Sequence, residues 1–130
     1  MKFLSKFEVP VYVLLRVVIG FLFSCYGLQK VFGLLGGVDG HGAHLHLNGE
    51  QALYYVAGII ELVTGVMVLL GLGTRVAAFI ASGEMAVAYF MGHASKGLLP
   101  IVNGGVPAVL FCFIFLYIAT RGTGKWGIQK

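Results

Sequence analysis

Between Ala52 and Leu72 the chain reads ALYYVAGIIELVTGVMVLLGL, 21 residues with a single charged side chain, Glu61, almost at the centre. About 20 apolar residues, rising about 1.5 Å each in a helix, cover the roughly 30 Å hydrocarbon core of a bilayer, so the segment reads as a membrane-spanning helix. Glu61 then lies about 13 to 14 Å from the nearer end, where an acid facing lipid costs about 2.5 to 3.5 kcal/mol. It must face protein or water. Gly58, Glu61 and Gly65 fall on one stripe at helical spacing, and the glycines let a second backbone approach beside the carboxyl.

The rest of the composition agrees with a membrane chain. Of 130 residues, 58% are hydrophobic and 11% charged, and the mean hydropathy is +0.92. That is too apolar and too poor in charge for an ordinary soluble domain. A single transmembrane domain, residues 1–130, is expected. The formal charge of +4 arises without a basic cluster, which excludes a nucleic-acid partner. Cys25 and Cys112 have neither CxxC nor zinc-type spacing and read as apolar fillers.

Four helices are expected, at about residues 10–32, 52–72, 75–92 and 101–120. Arg16 interrupts the first apolar run, which separates it from a signal peptide, and the weak lipoprotein-like Leu22-Phe23-Ser24-Cys25 is followed by more apolar sequence. Gly73 suits the C-cap of the second helix and Thr74 the N-cap of the third. From Pro107 too few residues remain before Arg121 to cross the core. The segment from Ile101 to Val106 must therefore enter the membrane less regularly, either as an interfacial turn or as a cavity wall built on Asn103-Gly104-Gly105. Residues 33–50 form a Gly-rich loop with Asp39, His41, His44 and His46, readable as a divalent-metal site or, preferably, as a solvated loop.

Lys2, Lys6, Arg75, Arg121, Lys125 and Lys130 fall on one side of this topology, and Lys30 and Lys96 on the other. By the positive-inside asymmetry both termini are cytoplasmic in an antiparallel four-helix bundle. Arg16, Gly20, Phe23, Gly27 and Lys30 share a stripe on the first helix, and Ala77, Ala81, Glu84, Ala88 and Met91 share one on the third. Arg16, Glu61 and Glu84 are expected to meet in the core, the arginine holding two carboxylates. Tyr26, Gln29, Lys30, His93 and Asn103 lie toward the outer side and could line a polar pocket.

Arg16 with Gly20 and Gly27-x-x-Lys30, Gly58-x-x-Glu61, Gly71-x-Gly73-Thr74-Arg75, Met85-Ala86-x-Ala88-Tyr89 with His93, Pro100-x-x-Asn103-Gly104-Gly105 and Arg121-Gly122-x-Gly124 follow one another along the chain. In these motifs, their order and their spacing, the sequence resembles the DoxX family of small four-helix bacterial membrane proteins. The resemblance spans nearly the whole chain. It implies an all-helical bundle in a bacterial inner membrane, with relatives linked to thiosulfate:quinone oxidoreductase and to membrane complexes that handle redox stress. The family pattern usually continues Asn-Gly-Gly with Glu, where this chain has Val106. Val106, with Leu110, Phe113 and Tyr117 on its stripe, is expected to face the bundle interior.

Two readings of different class follow. In one, the chain is an accessory subunit of a membrane redox complex, binding quinone or lipid and docking a soluble or membrane oxidoreductase. A quinone head needs donors for two carbonyls and a proton supply, which Tyr26, Lys30, His93 and a Glu61/Glu84 relay offer; the sequence carries no flavin, haem or iron–sulfur motif. In the other, it is a small-solute or proton-coupled transport component, which four short helices support better as a homo-oligomer. A purely structural scaffold, its buried charges fixing helix register, is the plainest alternative.

Overall fold

Turn chemistry decides where the apolar runs stop. The computed structural model describes residues 1–128, so Lys130 of the expected cytoplasmic set lies outside the described residues. Among them the chain is all helical, without strands. A short turn, α1 (Lys2–Ser5), leads into α2 (Glu8–Phe32), followed by α3 (Ala52–Leu70), α4 (Thr74–Gly92), α5 (Pro100–Asn103) and α6 (Val106–Arg121). Single 3-10 turns lie at Gly49–Gln51 and Ala94–Lys96. Three helices, Glu8–Phe32, Gly49–Leu70 and Thr74–Lys96, are long and apolar enough to cross a membrane, and Val106–Arg121 is a shorter apolar helix.

The ends differ from expectation in one instructive place. Gly71, not Gly73, takes the left-handed C-cap of α3, with φ 71°, and the Leu72 amide donates back to the Met67 carbonyl at 2.8 Å. Gly73 is the N-cap of α4, so Thr74 is the first helical residue. The Thr74 hydroxyl is free of capping duty and accepts a bond from the Thr123 hydroxyl at 2.8 Å.

Helices α2 and α3 touch backbone to backbone. A Cβ added at Gly20 would lie 2.6 Å from the Leu69 nitrogen, and one added at Gly27 would lie 2.6 Å from the Leu62 nitrogen. A second close pair is α4 on α6, where Ala77, Ala78 and Ala81 are buried and the Ser82 hydroxyl donates to the Cys112 carbonyl at 2.8 Å. Aromatic rings join the two pairs: Phe23 packs on Phe111 and Phe115 with centroids 5.2 and 4.7 Å apart.

Helix α6 turns a different face inward from the one expected. Ala108, Phe111, Phe115 and Ile118 are buried, while Leu110, Phe113 and Tyr117 are exposed and Val106 is half-buried. The correction has a packing cause, because the core takes the stripe that brings two phenylalanines onto Phe23. Large apolar side chains such as Leu14, Phe21, Val63, Phe79 and Phe90 stand exposed on the flanks, the exterior that a hydrocarbon surround requires.

The irregular stretch before α6 is a broken helix. One turn, Pro100–Asn103, stops at Gly104, which adopts φ 75°, and α6 restarts at Val106 with Pro107 in its first turn. Beyond α6 the chain folds back under the bundle. The Tyr12 hydroxyl donates to the Gly122 carbonyl at 2.6 Å, and the Ile128 amide donates to the Leu70 carbonyl at 3.0 Å.

Candidate functional site

Four of the residues singled out from sequence, Tyr26, Lys30, Glu61 and His93, line one cavity of about 290 Å³. Phe23, Met85 and Phe111 make its apolar walls, and Gly104 with Pro107 closes it beside the break before α6. Phe111 was not distinguishable by sequence from its neighbours on α6, since only its ring contacts with Phe23 and Tyr26 single it out.

Lys30 Nζ lies 2.6 Å from Glu61 Oε2. The carboxylate side chain is 1% exposed and the lysine side chain 26%, so the cation keeps access to the cavity while the anion is sealed behind it. Gly58 makes the pairing possible. A Cβ there would lie 2.7 Å from the Lys30 Cβ, so the lysine stem crosses α3 only where α3 has no side chain.

The expected pairing of Arg16 with Glu61 and Glu84 is not found. Gly20 lies opposite Gly65 and Leu69, and Gly27 opposite Gly58 and Leu62, which brings Lys30 to the depth of Glu61 and Arg16 to the end of α3. The Arg16 guanidinium, buried at 1% exposure, donates to the carbonyls of Thr123, Lys125 and Trp126. It lies where α3 and α6 both end, so helix C-terminal dipoles stand in for a carboxylate. Sequence periodicity placed the residue on the right face, but depth depends on the α2–α3 register, which periodicity does not give.

His93 Nδ1 lies 3.2 Å from the Asn103 carbonyl oxygen. A carbonyl only accepts, so in this contact Nδ1 carries the proton and Nε2 of the neutral ring is left as an acceptor. The Asn103 side chain donates to the Tyr89 hydroxyl at 2.9 Å and to the Gly97 carbonyl at 3.1 Å, and its Oδ1 accepts from the Gly105 amide at 2.8 Å. Asn103 therefore orients His93 and holds the broken helix in place, and does not line the cavity. Gln29 is also engaged elsewhere, donating to the Leu35 carbonyl at 3.0 Å.

Glu84 faces Glu61 in a side-chain hydrogen bond, which requires one of the two carboxyls to carry the proton, and Glu84 Oε1 and Oε2 and Glu61 Oε1 are all buried. One lysine thus stands near two carboxyls. Among the residues that line the cavity, Lys30 and Tyr26 carry donors, and the His93 ring carries an acceptor nitrogen.

In the loop after α2, the Asp39 carboxylate accepts from the His41 amide at 2.8 Å and the Ala43 amide at 3.1 Å. These backbone donors hold its pKa below the ordinary carboxylate value. The His44 and His46 rings stand 4.7 Å apart, edge to face. Among the described residues no three His, Cys, Asp or Glu side chains gather as a metal-ligand group.

The DoxX family model matches residues 11–94, a span that holds α3 and α4 whole, most of α2, and every titratable group of the cavity. A relative from Haemophilus influenzae (strain ATCC 51907 / DSM 11121 / KW20 / Rd), named only "Uncharacterized protein", is 41% identical over 134 residues, covering 100% of this chain and 96% of its own. A Bacillus subtilis (strain 168) protein named "Putative oxidoreductase CatD" is 36% identical over 72 residues, 55% of this chain and 51% of that protein. No solved structure matches.

Proposed function

Because this chain belongs to the DoxX family and is a membrane protein, we propose that it binds the head group of a membrane quinone in the Lys30–Glu61 cavity. It serves there as an accessory subunit for a membrane or soluble oxidoreductase. The cavity itself carries this reading: about 290 Å³ with aromatic walls and a Lys–Glu pair at its back. That volume sits at the lower edge of small-molecule pockets, roughly 300 Å³, and suits a one-ring head. Lys30 and Tyr26 would donate to ring carbonyls, while His93 Nε2 would accept from a hydroxyl of the reduced ring. When bound, a quinone supplies two-electron, two-proton redox chemistry. Of the protein's own groups, Lys30 and Glu61 are placed to hold and pass protons at the ring oxygens, and Phe23 and Phe111 exclude water beside them.

The name of the Bacillus subtilis relative agrees with a redox setting. The proposal places the chain in the bacterial inner membrane as a multi-pass antiparallel bundle with both termini cytoplasmic. Supporting it are the residue pairs 20 with 65 and 27 with 58 across α2 and α3, whose numbers run in opposite directions, and the Lys/Arg asymmetry of the loops. Titration of the purified protein with a short-chain ubiquinone analogue, followed by tyrosine fluorescence, tests the ligand. Saturable binding weakened about tenfold or more by Lys30→Met, as loss of a charged hydrogen bond predicts, is expected. Binding that Lys30→Met and Tyr26→Phe leave unchanged would refute the site.

A further inference from the structure

The Lys30–Glu61 cavity is not closed on every side. Glu61 and Met85 in its wall are buried, while Tyr26 on α2 is 42% exposed and Gly104 and Pro107, at the break before α6, are exposed too. A mouth therefore lies between α2 and the start of α6. Phe111, one turn beyond Pro107, is buried against Tyr26 with ring centroids 5.8 Å apart and bounds it on one side. The mouth lies at membrane depth. Helix α3, at 19 residues, is about 28 Å long, close to the roughly 30 Å hydrocarbon core. Gly27, next to Tyr26 in the chain, sits against Gly58 and Leu62, which are about 9 to 15 Å from the Ala52 end of α3. Beside the mouth, in and just before α5, Leu98, Leu99, Ile101 and Val102 all stand exposed, an apolar patch that in a membrane protein belongs against lipid.

We propose that the cavity opens sideways into the bilayer between Tyr26 and Pro107, and that its ligand holds a neutral ring head inside and a single apolar chain threaded out through this mouth. The route and the chain deepen the reading of the cavity as a head-group site and rest on it. Size requires the division. About 290 Å³ holds one ring and leaves no room for a chain beside it, so the tail of a ligand taken from the bilayer must stay outside. Gly104, which ends α5 at φ 75°, brings no side chain to the gap. Tyr26, on the other edge, offers its ring to the chain and its hydroxyl to the head. A charged head would have to pass the apolar mouth without its water, at a cost that a neutral ring does not meet.

The test has two arms, both on the full chain. In phosphatidylcholine nanodiscs a nitroxide is attached at Pro107→Cys in a Cys25→Ala/Cys112→Ala background, with Glu50→Cys, an exposed position just before α3, as the reference in water. The Pro107→Cys nitroxide should be relaxed mainly by oxygen, which concentrates in lipid, and the Glu50→Cys nitroxide mainly by a water-soluble nickel chelate. Equal relaxation of the two by nickel would overturn the sideways opening. In detergent, calorimetric titration compares a decyl-chain ubiquinone analogue with the same ring lacking a chain, in the parent and in Pro107→Trp, which fills the mouth. Filling the exit should weaken the chain-bearing analogue about tenfold or more, the scale of overpacking. The chainless ring should bind as in the parent, which also shows that the variant is folded. Equal weakening of both analogues, or of neither, would overturn the threaded chain. A parent that binds neither analogue overturns the head-group reading and the chain with it, while the nitroxides still decide where the mouth opens.

Discussion

Lys30 Nζ and Glu61 Oε2 meet at 2.6 Å across two helices, and they are unequally placed to lose one another. Lys30→Met leaves a carboxylate that is 1% exposed without its cation. Removing one member of a buried pair costs about 3 to 5 kcal/mol, and this substitution is expected at that scale. Glu61→Leu leaves a lysine 26% exposed, which extends toward water and limits the damage. The double variant Lys30→Met/Glu61→Leu should melt above Lys30→Met alone. Thermal unfolding of the three in detergent gives the order. Equal losses from the two single substitutions would contradict the asymmetry.

The α2–α3 seam makes a second expectation. At Gly27 a Cβ would lie 2.6 Å from the Leu62 nitrogen and 2.7 Å from the Gly58 carbonyl oxygen, and backbone has nowhere to go. Gly27→Leu should cost about 1 to 3 kcal/mol or more through overpacking and should also part Lys30 from Glu61. Gly92→Ala is the matched control, since nothing lies within 4 Å of its added Cβ, and it should be neutral or gain up to about 1 kcal/mol from helix propensity. Comparable melting temperatures for the two variants would count against backbone contact along this seam.

Asp39 gives a pH dependence with a definite sign. Its folded-state pKa is lowered, chiefly by the His41 and Ala43 amides. The contribution to loop order is therefore complete above the unfolded carboxylate value of about 3.9 and is lost as pH falls through the lower folded value. The amide signals of His41 and Ala43 in a nuclear magnetic resonance titration should hold steady down to about that pH and move only below it. Asp39→Asn should shift them at neutral pH and remove the transition. Movement centred above the ordinary carboxylate range would reverse the sign argued here.

The apolar helical runs and the faces of α2, α3 and α4 were legible in sequence because small residues and charges recur at helical spacing, as at Gly20, Gly27, Gly58 and Glu61. Glu61 and Lys30 were named from those stripes, Tyr26 and His93 as polar groups toward the outer side, and the four share one cavity. What periodicity cannot supply is depth, and Arg16 shows the difference: it lies on the expected stripe but opposite the end of α3. The face of α6 was misread because the helix is apolar all round, so no polar residue marks the inward side. Only the fit of Phe111 and Phe115 against Phe23 decides it. The fold-back of residues 122–128 had no sequence signal beyond Gly122 and Gly124, since all but one of the anchors described for it, the Thr123 hydroxyl on Thr74, engage its main chain.

Arg16 is the anchor of that fold-back. Its guanidinium, 1% exposed, holds the carbonyls of Thr123, Lys125 and Trp126, while Nε is buried without a partner. Carboxylates play no part in the cluster, so substituting Glu61 and Glu84 cannot relieve the loss of Arg16. Arg16→Leu removes hydrogen bonds from a charged donor, each typically about 1.5 to 3 kcal/mol. Part is recovered because the freed carbonyls sit outside the helices and can turn to water, so a net loss of about 2 to 3 kcal/mol is expected. The loss should be local. Limited proteolysis should cleave after Lys125 in Arg16→Leu while the helices stay protected, and binding in the Lys30–Glu61 cavity should change little. Arg16→Lys should recover only part of the protection, because one ammonium cannot span three carbonyls with the fork of a guanidinium. If Arg16→Leu leaves Lys125 as protected as in the parent chain, or if adding Glu61→Leu and Glu84→Leu restores its stability, Arg16 does not anchor the C-terminal segment.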